Sequence, residues 1–178
     1  MTEERPRGVA LIFRGLICLL PGLLFFHAGA PTLPSLLLFF NLWVLACYDL
    51  TSFRLPNLLT LTLFITGAMY VATSPSLFIW DHVIGAAVGL VFFPAVNAIY
   101  KLVRGRDGIG IGDAKLLAGI GMWLGWALLP PVLLMASIAG LVYGGGLALA
   151  SKQPVATSKI PFGPFLCLGA WMAWLYLF

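Results

Sequence analysis

Charge is scarce in this chain. Asp, Glu, Lys and Arg make up 9% of its 178 residues, against about 25% in an ordinary soluble domain. Apolar residues make up 61%, well above the roughly 45–50% of soluble domains. So few charges cannot cover so much apolar surface, which excludes a water-soluble globule. Cysteine is scarce too: Cys18, Cys47 and Cys167 all lie in apolar runs, and none belongs to a C-x-x-C pair. No zinc site can be built from them, and they read as small apolar packing residues. Clustered Lys and Arg with interleaved polar residues are missing, which excludes a nucleic-acid surface. A phosphate loop fails as well. There is no Gly-Lys-Ser/Thr, and a G-x-G-x-x-G beginning at Gly108 would need glycine where Asp113 stands. Nor is there a polar stretch long enough for a soluble module, so residues 1–178 read as a single domain.

What the chain does have is apolar runs. Seven can be marked, at about 8–28, 33–50, 57–73, 81–103, 113–129, 131–151 and 160–178, each near the ~20 residues that cross a bilayer. The expectation is an all-α, polytopic membrane helix bundle of about seven transmembrane helices. The fifth run is short and meets the sixth at Pro130-Pro131, which reads as a tight turn-back. The first run has the outline of a secretory signal ending at Ala28-Gly29-Ala30. Its length, Arg14 and the Pro31 that would follow the cut argue that it is retained.

The net charge of +4 is one-sided. With a cytoplasmic N-terminus, Arg5, Arg7, Arg54, Lys101, Arg104, Arg106, Lys152 and Lys159 fall in cytoplasmic segments. Arg14 and Lys115 fall at the cytoplasmic ends of their runs. All ten basic residues then lie on one side, as the positive-inside rule requires of a correctly counted topology.

Six acids remain to be placed. Glu3 and Glu4 sit in the polar N-terminal tail, Asp107 in a basic loop, and Asp81 at an external helix start where an acid is ordinary. Asp49 and Asp113 differ. Asp49 ends an inward run and Asp113 begins an outward one, so both belong at the cytoplasmic interface. Ionisable residues at membrane depth are costly and are functional candidates by default. Two neighbouring carboxylates cannot both ionise freely and share a proton. One can then act as general base on water while the other, protonated, polarises a carbonyl and protonates the leaving amine. This chemistry needs no metal and no cofactor. The bland readings are a helix N-cap for Asp113 and an interfacial residue satisfied by nearby backbone for Asp49. Gly108, Gly110 and Gly112, beside Asp113, would allow close backbone approach and positive φ, leaving room for an extended substrate.

At this point a family resemblance enters. "YDLTSFRLPN" (Tyr48–Asn57), "GIGIGDAKLLAGIGMWLGW" (Gly108–Trp126) and "IPFGPFLCLGAW" (Ile160–Trp171) resemble the motifs of type IV prepilin peptidases, bacterial intramembrane aspartyl proteases of the GxGD type. The resemblance runs along essentially the whole chain. It implies catalytic aspartates at Asp49 and Asp113. The implied reaction is removal of the basic leader of prepilins or pseudopilins at the cytoplasmic face of the inner membrane by a multi-pass endopeptidase. Gly110 and Gly112 would shape the loop at Asp113, and Pro161 and Gly163 would form a turn near the site. Lys115 would offset charge at the pair or attract an acid of the substrate, unless it is a snorkelling interface lysine. Without paired C-x-x-C motifs, the chain resembles a short form lacking the N-terminal methyltransferase and zinc domain. The implied partners are the prepilin leader and the lipid bilayer, with no nucleic acid. A multi-pass transporter using intramembrane acids and a non-catalytic pilus or secretion assembly protein stand as alternatives.

Other features read as packing. Gly85/Gly89, Gly121/Gly125 and Gly140/Gly144 are small-xxx-small pairs that let helices approach. Trp80, Tyr100, Trp171, Trp174 and Tyr176 suit interfacial belts. His27 and His82 fall on the external side, away from the acids.

Overall fold

Apolar sequence without charge favours helix wherever water cannot satisfy the backbone, because a helix pairs its own amides and carbonyls. The computed structural model describes residues 31–105, 110–151 and 161–178, and these segments are helical apart from short connections. In chain order they form α1 (Thr32–Ser52), α2 (Asn57–Thr73), α3 (Ile79–Arg104), α4 (Ile111–Leu124), a 3-10 turn (Trp126–Leu128), α5 (Leu129–Ser151) and α6 (Gly163–Tyr176). The result is an all-α, polytopic membrane helix bundle. Among the described residues, Thr32–Ser52, Ile79–Val103 and Trp126–Gly146 are each long and apolar enough to cross a membrane, and Asn57–Thr73 is a shorter apolar helix. The first apolar run, with Cys18 and His27, lies outside the described residues, as do Asp107 and Gly108.

The bundle is organised around its shortest element. Helix α4 has 14 residues, about 21 Å at 1.5 Å per residue, and every residue from Leu116 to Gly125 is buried. It packs against α3, α2, α6 and α5, while α1 closes the ring between α2 and α6. Glycine makes the closest of these contacts. A Cβ on Gly85 would lie 2.6 Å from the Gly121 carbonyl oxygen, and one on Gly89 would lie 2.5 Å from that of Leu117. So α3 and α4 touch backbone to backbone, the approach that small residues permit between membrane helices. Between α2 and α4, Gly67 leaves space for the Trp123 ring and Gly119 for Leu63. The Trp123 indole N–H donates to the Leu63 carbonyl at 2.9 Å.

Several details depart from the sequence reading. The break after α4 falls at Gly125, not at Pro130-Pro131. Gly125 has φ 78°, which glycine adopts without a Cβ penalty, and the two prolines sit in the first turn of α5, where their missing amides cost no helical bond. Gly140 faces Phe165 at an ordinary 3.6 Å, so it makes no backbone contact. Trp171 and Trp174 are buried in the core, not in an interfacial belt. Trp174 crosses Tyr70 and Trp123 edge-on and donates to the Ser35 hydroxyl at 2.9 Å. Asp81 accepts from the Trp126 indole at 3.1 Å, and His82 Nδ1 lies 3.0 Å from the Met122 carbonyl. These polar groups occupy the end of the bundle opposite Asp49 and Asp113.

Candidate active site

Three segments far apart in sequence meet at the other end. The first is the end of α1. Asp49 lies in its last turn, and the helix stops when Phe53 turns left-handed (φ 50°, ψ 31°) with its N–H bonded to the Asp49 carbonyl at 2.9 Å. Pro56 then takes extended backbone (φ −63°, ψ 134°) as the N-cap of α2, where its ring costs no hydrogen bond. Asp49 is buried, with 5% of its surface exposed.

The second segment is the start of α4. Gly110 is its N-cap, and Asp113 is an acid of the first turn, three residues further on. The N-cap alternative for Asp113 therefore does not apply. The glycines also act otherwise than expected. Among the described residues, glycine takes positive φ at Gly105 and Gly125, not at Gly110 or Gly112. What Gly110 and Gly112 contribute is a missing side chain. A Cβ on Gly112 would press on Leu55 at 3.3 Å, and one on Gly110 would stand 3.9 Å from Asp113 Oδ2.

The third segment is the start of α6. Pro161 precedes the N-cap Phe162, and Gly163-Pro164 open the helix. The Gly163 N–H, one of the unpaired amides of a helix start, donates to Asp49 Oδ2 at 3.0 Å in a buried setting. The backbone reading of Asp49 thus holds as far as it goes, but the backbone comes from the far end of the chain.

These segments enclose one open cleft of about 740 Å³, with Asp49 and Asp113 in its walls together with Gly110, Gly112, Lys115 and Pro161. Both carboxylates face this one space, one from the end of α1 and the other from the start of α4. Gly163 touches Asp49 from behind and is not itself in the cleft wall. Lys115 sends its ammonium to Asn57 Oδ1 at 2.8 Å, which ties the start of α4 to the start of α2. The sequence reading assigned no role to Asn57 or to the apolar walls Phe53, Leu55, Phe93 and Phe162. Asn57 stood within the first motif and offered a signal. Phe93 is in mid-α3, where nothing in the local sequence distinguishes it from packing. Asp49 and Asp113 are the two carboxyl groups among the residues that line this cleft.

The comparisons with known proteins bear on this same cleft. A model of the type IV leader peptidase family matches residues 36–145, which include Asp49, Asn57, Asp113 and Lys115. The chain belongs to this family. It is 40% identical over 148 residues to the prepilin leader peptidase/N-methyltransferase of Aeromonas salmonicida (strain A449), covering 83% of this chain and 50% of that relative. Against the proteins of the same name from Dichelobacter nodosus and Pseudomonas aeruginosa, identity is 35% over 153 residues and 36% over 152 residues. Those matches cover 85% and 84% of this chain, and 52% and 50% of the relatives. The chain thus spans about half the length of these curated relatives. No solved structure matches it.

Proposed function

We propose that the chain is an intramembrane aspartyl endopeptidase. In this reading it removes the N-terminal leader of prepilins or pseudopilins at the cytoplasmic face of a multi-pass position in the bacterial inner membrane. The observation that carries the reading is the meeting of Asp49 and Asp113 in one cleft at one end of the bundle. That end also bears Arg54, Lys101 and Lys115, the basic residues expected on a cytoplasmic side. Relatives named prepilin leader peptidase support the substrate class.

The mechanism follows from two carboxyl groups that share a proton. The ionised member takes a proton from water as the oxygen adds to the scissile carbonyl carbon, and the protonated member donates to the carbonyl oxygen. Collapse of the tetrahedral intermediate breaks the C–N bond: one hydroxyl returns its proton to the carboxylate that had donated to the carbonyl oxygen, and the amine leaves with the proton that the other carboxyl took from water. Asp49 is the better candidate for the ionised member, because the Gly163 N–H already donates to it, and a hydrogen bond given to the charged form favours that form. Asp113 then starts as the acid. A carrier would place its ionisable site near the midplane, whereas both acids here sit at helix termini.

Co-expression with a prepilin, followed by a gel for leader removal, tests the proposal. Asp49→Asn and Asp113→Asn should each abolish cleavage while the protein remains membrane-inserted. Full processing by either variant would overturn it.

A further inference from the structure

Phe53 stands in a costly backbone conformation. Among the described residues it is the one non-glycine with positive φ. It occupies the position just past a helix end where glycine is the usual choice, since a Cβ there crowds the neighbouring carbonyl. The fold gives little back. The Phe53 side chain is 52% exposed, lies outside the buried core cluster, and the Phe53 backbone conformation could be adopted more cheaply by glycine. A bulky ring at such a position is best accounted for by something it meets outside the fold.

Its surroundings indicate what that is. Phe53 lines the same cleft as Asp49 and Asp113, in company with Leu55, Phe93 and Phe162. Phe93 and Phe162 are themselves packed edge to face, with centroids 6.0 Å apart, so the inner apolar wall is fixed. Phe53 lines the same space with its ring half exposed. Its N–H is bonded to the Asp49 carbonyl, so the ring is carried on the turn that bears the carboxylate. An aromatic that anchored the chain to the membrane surface would more commonly be Trp or Tyr, with a polar tip for the headgroups.

We infer that Phe53 is a substrate-contact residue: its ring packs on an apolar side chain of the substrate segment lying beside the two carboxylates, and so sets where along the substrate the cut falls. The inference rests on the protease reading above and adds a specificity determinant to it.

The signature is a pair of changes with opposite sign. In purified, detergent-solubilised protein, Phe53→Gly relieves the left-handed strain, so the melting temperature should stay level or rise. The same variant should lose at least about tenfold in kcat/KM for leader removal, chiefly through KM, as expected when the burial of one aromatic side chain on binding is lost. Phe53→Leu, which keeps an apolar side chain, should recover most of that loss. Unchanged kcat/KM in Phe53→Gly overturns the inference, and so does a loss of activity that merely follows a fall in melting temperature. A second measurement is independent of catalysis. A photo-crosslinking phenylalanine analogue at position 53 of the Asp113→Asn protein, co-expressed with the prepilin, should join to the prepilin; a crosslink to lipid alone overturns the inference. Absence of cleavage by the wild-type chain would count against the protease reading instead, and the crosslink would still decide the role of Phe53.

Discussion

The backbone N–H of Gly163 holds Asp49 Oδ2 at 3.0 Å, across 114 residues of sequence. The contact depends on a residue without a side chain: a Cβ at position 163 would stand 2.7 Å from that same oxygen. The proline-flanked start of α6 therefore sets the position of the carboxylate at the end of α1. Gly163→Ala should push the carboxylate out of place and cut leader removal by at least about tenfold, since small misplacements of reacting groups are costly. Membrane insertion should be retained. Gel-shift processing of a co-expressed prepilin, with membrane fractionation as control, checks both.

Lys115 and Asn57 form a clasp between two of the motif segments. If its role is to hold the start of α4 against the start of α2, then Lys115→Met and Asn57→Leu should each lower kcat. The double variant should be little worse than either alone. The expected coupling is about 1 kcal/mol, roughly a factor of five, for an exposed bond from a charged group. A double-mutant cycle on cleavage rates measures it, and additive losses would count against the clasp.

The seam between α3 and α4 tolerates no added atoms. Gly85→Ala brings a methyl to 2.6 Å from the Gly121 carbonyl oxygen, and the helices must separate. A loss of about 1–3 kcal/mol is expected for such overpacking, read as a lower unfolding temperature in detergent.

At the opposite end, Trp174→Phe removes the donor to the buried Ser35 hydroxyl. It should cost about 1 kcal/mol of stability and leave cleavage unchanged, because the pair is remote from the cleft. Pairing it with Ser35→Ala should recover part of the loss, since the unmet hydroxyl is removed as well.

Much of this molecule was legible from the residues, for identifiable reasons. Long runs without charge have few options in a bilayer, so Thr32–Ser52 and Ile79–Arg104 were evident as helices within a residue or two. Asp49 and Asp113 stood out because a carboxylate is expensive beside such runs. The Gly85 and Gly89 packing was visible as spacing. Less was legible where a residue acts through a neighbour that sequence does not supply. The Gly163 contact with Asp49, the choice of Asn57 as partner for Lys115 and the place of Phe93 in the cleft wall all depend on how separate helices are rotated. Trp171 and Trp174 failed as belt residues for the same reason, since an aromatic near a helix end can face either lipid or a neighbouring helix. The turn at Gly125 was hidden by the more conspicuous Pro130-Pro131.

The enclosure of α4 has a consequence for the host membrane. Bilayers that differ in thickness act on helices that face acyl chains, by tilting them or by drawing lipid around their ends. Helix α4, wrapped by its neighbours from Leu116 onward, offers lipid no such purchase. Thickness changes fall on the outer helices, while the depth of Asp113 is set by glycine contacts inside the protein. Leader removal is therefore expected to change little between bilayers of different thickness.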